Sequence, residues 1–238
     1  MSAALADSDD RSPGELLIRG SDLYLAYGKT VALSGASIEV HAGEILVLTG
    51  KSGSGKSSLL YCLGGVVRPD GGELQYRDRA MTEMSDDDIS SLRRTDFGFV
   101  FQFGELVPEL TIKENVSLPL RLNRQPAKVV RSRVTELLER LDIASIGEKR
   151  PAEVSGGQAQ RAAIARALAH RPRVVFADEP TGSLDSENSE VVLHEFVGLA
   201  RTTGAAVMLV THEPNVAAVA DRHLSVVDGT VRAASLHP

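Results

Sequence analysis

Residues 46–60, LVLTGKSGSGKSSLL, lead a short aliphatic run into a loop of glycine, serine and lysine and then into a second apolar run. Within them Gly50-Lys51-Ser52-Gly53-Ser54-Gly55-Lys56-Ser57 satisfies G-x-x-x-x-G-K-[S/T], set between a buried strand and the start of a helix, the context that gives the pattern meaning. Glycines let backbone N–H groups converge on phosphate oxygens, and the positive end of the helix dipole favours the anion. Lys56 reaches the outer phosphates, and the Ser57 hydroxyl can ligate Mg2+. Gly50, Ser52, Gly53, Ser54, Gly55, Lys56, Ser57 and Ser58 are therefore the candidate phosphate contacts.

Two further aliphatic runs also end in polar clusters, RVVFADEP from Arg173 and AVMLVTHE from Ala206. Runs that are apolar on both faces suit central strands of a parallel sheet covered by helices. Helical patterns lie between them. Val130, Val134, Leu137, Leu138 and Leu141 form one apolar stripe, with Arg131, Arg133, Glu136 and Glu139 expected to face elsewhere. Ser85, followed by Asp86, Asp87 and Asp88 and later by Arg93 and Arg94, reads as a capped helix whose charges match its dipole. The first forty residues instead alternate and carry turn glycines, as do GGELQYRDR from Gly71 and HLSVVDGTVRA from His223, so hairpin strands are expected beside the parallel core. The expected organisation is one α/β domain over residues 15–232, with an antiparallel edge and a helical insertion around 105–160.

Composition narrows the partners. A formal charge of -6 and a pI near 5.6 disfavour a dedicated nucleic-acid binder. The single cysteine, Cys62, excludes an internal disulfide and sits where a buried small hydrophobe is expected. No apolar stretch approaches the roughly 18–20 residues needed to cross a bilayer. Residues 1–14 are acidic and lack the basic start and apolar core of a secretion signal, so they are expected to form a retained, disordered tail, with a second tail at 233–238.

Asp178 and Glu179 close the second aliphatic run, at the carboxyl edge of the sheet beside any bound phosphate. Taken alone, such a pair is more often a helix cap. Beside the phosphate loop, Asp178 suits Mg2+ and Glu179 suits a general base for the attacking water. In VSGGQAQRAAIARAL, Ser155 and Gln158 have the spacing of a capping box. Gly156 and Gly157 in the first turn each lower helix stability by about 1 kcal/mol relative to alanine, and they bare backbone amides to an approaching anion.

On these residues the chain resembles the ATP-binding cassette (ABC) family, whose signature is close to LSGGQ and here reads Val154-Ser155-Gly156-Gly157-Gln158. The resemblance spans about residues 16–232, and the family's elements occur in its order. Tyr27 stands for the aromatic that stacks on adenine, followed by the phosphate loop, Gln102 in FVFQF, the signature, Asp178-Glu179, the GSLD turn ending at Asp185, and His212 in VTHE. The resemblance implies a P-loop NTPase with a RecA-like parallel core, an antiparallel β edge subdomain and an α-helical signature subdomain. It implies ATP and Mg2+ as cofactors, with Ser57, Gln102 and Asp178 around the metal and Glu179, His212 and Gln102 as catalytic groups. It further implies a homodimer closing head to tail, so that Ser155, Gly156, Gly157 and Gln158 of one chain face the phosphate loop of the other, with Asp185 near the seam. Lys51, Ser58, Ser183 and Glu213 depart mildly from the family's common residues, and none removes a catalytic group.

The stretch RRTDFGFVFQFGELVPELTIKENVSLPL from Arg93 is most similar to the subgroup serving macrolide exporters, lipoprotein-releasing systems, haem exporters and peptide-antibiotic pumps. It is also similar to the cell-division cassette. In this family the segment after Gln102 forms a groove for a short permease helix; Phe101, Phe103, Leu106, Val107 and Leu110 are candidates for its lining, and core packing explains most of them equally well. The resemblance implies an integral membrane permease in two copies and a place at the cytoplasmic face of the cell membrane. Export or extraction of an amphipathic or hydrophobic compound (haem, peptide antibiotic, drug or lipoprotein) leads. Signalling with nothing transported stays open, because both would use the same nucleotide site. No nucleic-acid partner is expected, since there is one cassette, no coiled-coil insertion and no basic arm.

Overall fold

Buried hydrogen-bonding strands have to pair on both sides, and the three aliphatic runs do so in the middle of one sheet. The computed structural model describes residues 14–102, 105–182, 186–211 and 220–233, with the side chains of 186–188 excepted. The expectations for Phe103, Ser183, Asp185, His212, Glu213, residues 1–13 and residues 234–238 lie outside them.

In chain order, β1 (Leu16–Tyr27) and β2 (Thr30–His41) form a long hairpin, followed by β3 (Ile45–Thr49) and α1 (Lys56–Leu63). Next come β4 (Gly71–Tyr76), β5 (Arg79–Ala80), α2 (Asp86–Thr95) and β6 (Phe97–Val100). Three helices follow, α3 (Ile112–Leu122), α4 (Ala127–Arg140) and α5 (Gly156–Leu168). The chain then returns to the sheet with β7 (Val174–Asp178), α6 (Ser186–Thr203), β8 (Ala206–Val210), β9 (Arg222–Val227) and β10 (Thr230–Ala233).

The larger sheet has the order β10-β9-β3-β8-β7-β6 and is parallel except for the β9–β10 hairpin. Its strands alternate between two cores, as a period of two demands. Ile45, Val47, Val175, Ala177, Val207 and Leu209 face α3 to α6. Leu46, Leu48, Val174, Phe176, Met208 and Val210 face α1 and the second sheet, β2-β1-β4-β5, which is antiparallel throughout. Fully burying one such side chain contributes about 1.5–3 kcal/mol, so few substitutions in these runs are tolerated.

The helical part follows the predicted stripe with one correction. Val130, Val134, Leu137, Leu138 and Leu141 are buried, but so is Arg133, at 8% exposure, instead of facing outward. Its guanidinium donates to the carbonyls of Leu168 (3.0 Å) and Ala169 (3.2 Å), filling acceptors left open at the end of α5, and pairs with Glu136 at 2.8 Å. Ser85 caps α2 as its spacing predicts, its hydroxyl accepting from the Asp88 amide.

Fully buried Asn115 organises the segment between β6 and α3. Its carboxamide donates to the carbonyls of Val107, Leu110 and Thr111 and accepts from the Val107 amide at 2.8 Å. Asn115→Ala strands several of these buried groups, so we expect a loss of about 3 kcal/mol in urea unfolding, against a change within about 0.5 kcal/mol for exposed Arg131→Ala.

Candidate nucleotide site

The loop between β3 and α1 is shaped by two glycines that nothing else could replace. Gly50 (φ 144°) and Gly55 (φ 105°) lie in the left-handed region, and a Cβ on them would collide with the carbonyl oxygens of Val226 and Ala32 respectively. The β9–β10 turn braces the loop from outside, the Gly229 amide donating to the Ser54 carbonyl at 3.0 Å. Lys56, at the first turn of α1, is only 5% exposed and donates to the carbonyls of Gly50 (3.0 Å) and Lys51 (2.9 Å). Burial pulls its pKa below the usual lysine value, opposed by the charges of Glu179 and Asp178.

The carboxylates sit at the tip of β7. Asp178 is 7% exposed; its Oδ1 accepts from the Ser57 hydroxyl at 3.0 Å and its Oδ2 from the Tyr61 hydroxyl at 2.8 Å. Burial, then the hydrogen bond to Asp178, push the Tyr61 phenol above the ordinary tyrosine range, so it remains a donor. Glu179 is held at φ 46°, a left-handed conformation uncommon for a residue with a side chain, and its amide donates to the Val210 carbonyl at 2.9 Å. β6 delivers Gln102, whose Nε2 donates to Glu179 Oε2 at 2.9 Å.

These contacts bring together Lys56, Ser57, Asp178, Glu179 and Gln102. The metal donors they offer are oxygens: the Ser57 hydroxyl, the Asp178 carboxylate and the Gln102 carbonyl. Among the described residues no group of three or more His, Cys, Asp or Glu side chains could hold a metal. That donor set fits a small hard cation completed by phosphates and water, and it does not fit a dedicated protein cage. Tyr27, at the end of β1, is 53% exposed.

The signature stands apart. Ser155 and Gln158 make the predicted capping box, with Gln158 N to Ser155 Oγ at 3.3 Å and Ser155 N to Gln158 Oε1 at 3.1 Å. Ser155 and Gly156 are exposed, and among the described residues none of Ser155, Gly156, Gly157 or Gln158 is hydrogen-bonded to the phosphate loop.

Beside the site runs a groove of about 290 Å3, whose wall includes Phe99, Phe101, Leu118, Pro119, Leu122 and Arg166. Leu122 is 58% exposed there. Of the candidates named for such a groove, Phe101 lines it. Leu106 instead packs against the helical core, and Val107 and Leu110 are outside the lining, their carbonyls bound by Asn115. Two residues missed from the sequence matter here: Tyr61 on Asp178, and buried Gln160, which donates to the Phe101 carbonyl at 3.3 Å.

The family model described as ABC transporter matches residues 20–182. The chain belongs to the ABC transporter ATP-binding family. The cassette is 43% identical over 197 residues to the lipoprotein-releasing system ATP-binding protein LolD of Paramagnetospirillum magneticum, covering 83% of this chain and 87% of that protein. It is 45% identical over 202 residues to LolD of Maricaulis maris, covering 85% and 88%. LolD of Cytophaga hutchinsonii is 37% identical over 215 residues, covering 90% and 98%. Among solved structures, the cassette is similar at TM-score 0.86 and 34% identity to the dimeric post-hydrolysis state of the ATP-binding cassette MJ0796 bound to ADP and Pi, covering 93% of this chain and 100% of that one. A second dimeric structure of MJ0796, a bacterial ABC transporter cassette, gives TM-score 0.86 at 35% identity with the same coverage. The cassette is thus a P-loop ATPase whose hydrolysis is coupled to transport.

Two outcomes check the geometry. Gly55→Ala, which drives a methyl into the Ala32 carbonyl, is expected to abolish ATP binding in a calorimetric titration. Burial, and the nearby charge of Asp70, push the Cys62 thiol up to about 12, so native Cys62 should react with a disulfide reagent at pH 8 more than about 100-fold slower than in the urea-unfolded chain.

Proposed function

We propose that this cassette is the ATP-hydrolysing subunit of a system that extracts lipoproteins, an amphipathic cargo, through a separate integral membrane permease. One observation supports the coupling above others: Phe101 lines the groove, and its chain neighbour Gln102 holds Glu179. A helix seated in that groove would press on the residue next to the catalytic edge. The relatives named as lipoprotein-releasing ATP-binding proteins, at 37–45% identity, support the cargo. Among the described residues no helix is long and apolar enough to cross a membrane, which fits a subunit held at the cytoplasmic face by the permease.

In this reading the loop amides of residues 50–58 and Lys56 hold the phosphates, and Tyr27 stacks on adenine. Ser57, Asp178 and Gln102 would hold Mg2+, which would supply neutralisation of phosphate charge when bound. Glu179 takes a proton from water as its oxygen attacks the γ-phosphorus; the bond to the bridging oxygen breaks, and ADP and phosphate leave. Gln102 orients Glu179, and the family's pattern assigns His212 to the γ-phosphate and Asp185 to the dimer seam. Ser155 and Gly157 of a second copy complete each site, so that two chains close on two ATP molecules with two copies of the permease. The exposed first turn of α5 and the dimeric relatives support that arrangement.

Glu179→Gln is expected to lower steady ATP turnover at least about 100-fold while ATP binding persists; turnover within a factor of two of the parent would overturn the general-base role. The permease that co-purifies from solubilised membranes, reconstituted with the cassette, should release radiolabelled lipoprotein from proteoliposomes only with ATP. ATPase activity without any such release would overturn the cargo.

A further inference from the structure

Tyr61 lies on α1 four residues after Ser57, so the two side chains rise from the same face one turn apart. Both reach one carboxylate, Ser57 bonding Oδ1 and Tyr61 bonding Oδ2 of Asp178. The two hydroxyls are not equivalent. Ser57 belongs to the phosphate loop, and its oxygen faces a second demand when a cation is bound there. Among the described residues the Tyr61 hydroxyl is bonded to the carboxylate.

The ring of Tyr61 has a second neighbour. Its centroid is 6.2 Å from that of Phe101, at an interplanar angle of 53°. Phe101 is stacked on Phe99 (5.9 Å, 8°), and Phe99 on Phe176 of β7 (5.3 Å, 21°). Phe99 and Phe101 both line the groove, and Gln160 fixes the Phe101 carbonyl from α5. Tyr61 thus touches both the buried carboxylate and the aromatic wall.

We propose that Tyr61 is a positioning residue for the metal-binding carboxylate: its hydroxyl fixes the second oxygen of Asp178, and its ring ties that carboxylate to the wall of the groove. A carboxylate with one anchored oxygen turns about its terminal torsion, whereas two donors define its plane and leave one lone-pair direction open to a cation. Donors of this outer kind orient a ligand and tune its affinity without touching the metal. The inference rests on the reading of Asp178 as a magnesium ligand.

The test uses the full chain, Mn2+ as the probe and a non-hydrolysed ATP analogue. Tyr61→Phe keeps the ring and removes the hydroxyl. It is expected to weaken Mn2+ binding about 10-fold, while analogue binding in EDTA stays as in the parent. Phe101→Leu should shift Mn2+ affinity in the same direction through the loosened ring. Mn2+ affinity within twofold of the parent in Tyr61→Phe, with binding lost in Asp178→Asn, overturns the inference and leaves the magnesium reading standing. Unchanged affinity in Asp178→Asn removes that reading and the inference with it. A normal Mn2+ affinity in Phe101→Leu removes the tie to the groove.

Discussion

Lys56 carries a full charge at 5% exposure, and an unpartnered buried charge of that kind destabilises a fold by several kcal/mol. Much else at the sheet edge follows from satisfying it. Its ammonium needs oxygens, and the loop supplies the carbonyls of Gly50 and Lys51 only because glycines at 50 and 55 let the backbone curl round it. It also needs negative charge nearby, supplied by Asp178 and Glu179 from a strand that is not adjacent to its own. β8 lies between β3 and β7, in register so that Val210 stands opposite both Leu48 and Asp178. The sheet order is therefore part of the electrostatics: exchange two strands and the cation loses its partners.

The same arrangement explains why Glu179 tolerates a left-handed backbone. Its amide is tied to Val210 and its carboxylate to Gln102, so the conformation is fixed from two sides. Strain held in this way belongs to a group whose direction matters more than its comfort. The signature turn shows the opposite economy. Its two glycines weaken α5, yet the capping box of Ser155 and Gln158 restores part of the loss while leaving Gly156 open to solvent.

What was legible in the sequence was local. The phosphate loop, the three aliphatic strands, the β9–β10 turn and the caps of α2 and α5 are all written in runs of a few residues, and periodicity or capping chemistry reads such runs directly. What was hidden depends on distant partners. Arg133 looks like a solvent-facing residue on an amphipathic helix, because its real partners are carbonyls at the end of another helix. Tyr61, within an apolar helix, reads as core, its acceptor being 117 residues away. β6 is four residues long and carries no alternating pattern, since α2 and α5 pack against it at the edge of the sheet. Leu106, Val107 and Leu110 are apolar and near Gln102, but the backbone at Val107 and Leu110 is tied to Asn115, a partner that no local pattern announces.

Four of the six phenylalanines, Phe97, Phe99, Phe101 and Phe176, join Tyr61 and Tyr76 in one continuous column of rings. It begins beside the Asp178 carboxylate and ends at the antiparallel sheet, where Tyr76 meets Phe97 edge-on at 5.0 Å. Packed rings have few intermediate positions, because a partial shift opens voids on one side and overlaps on the other. A column of this kind cannot yield one ring at a time: a push on Phe101 is carried to its neighbours as a shared displacement.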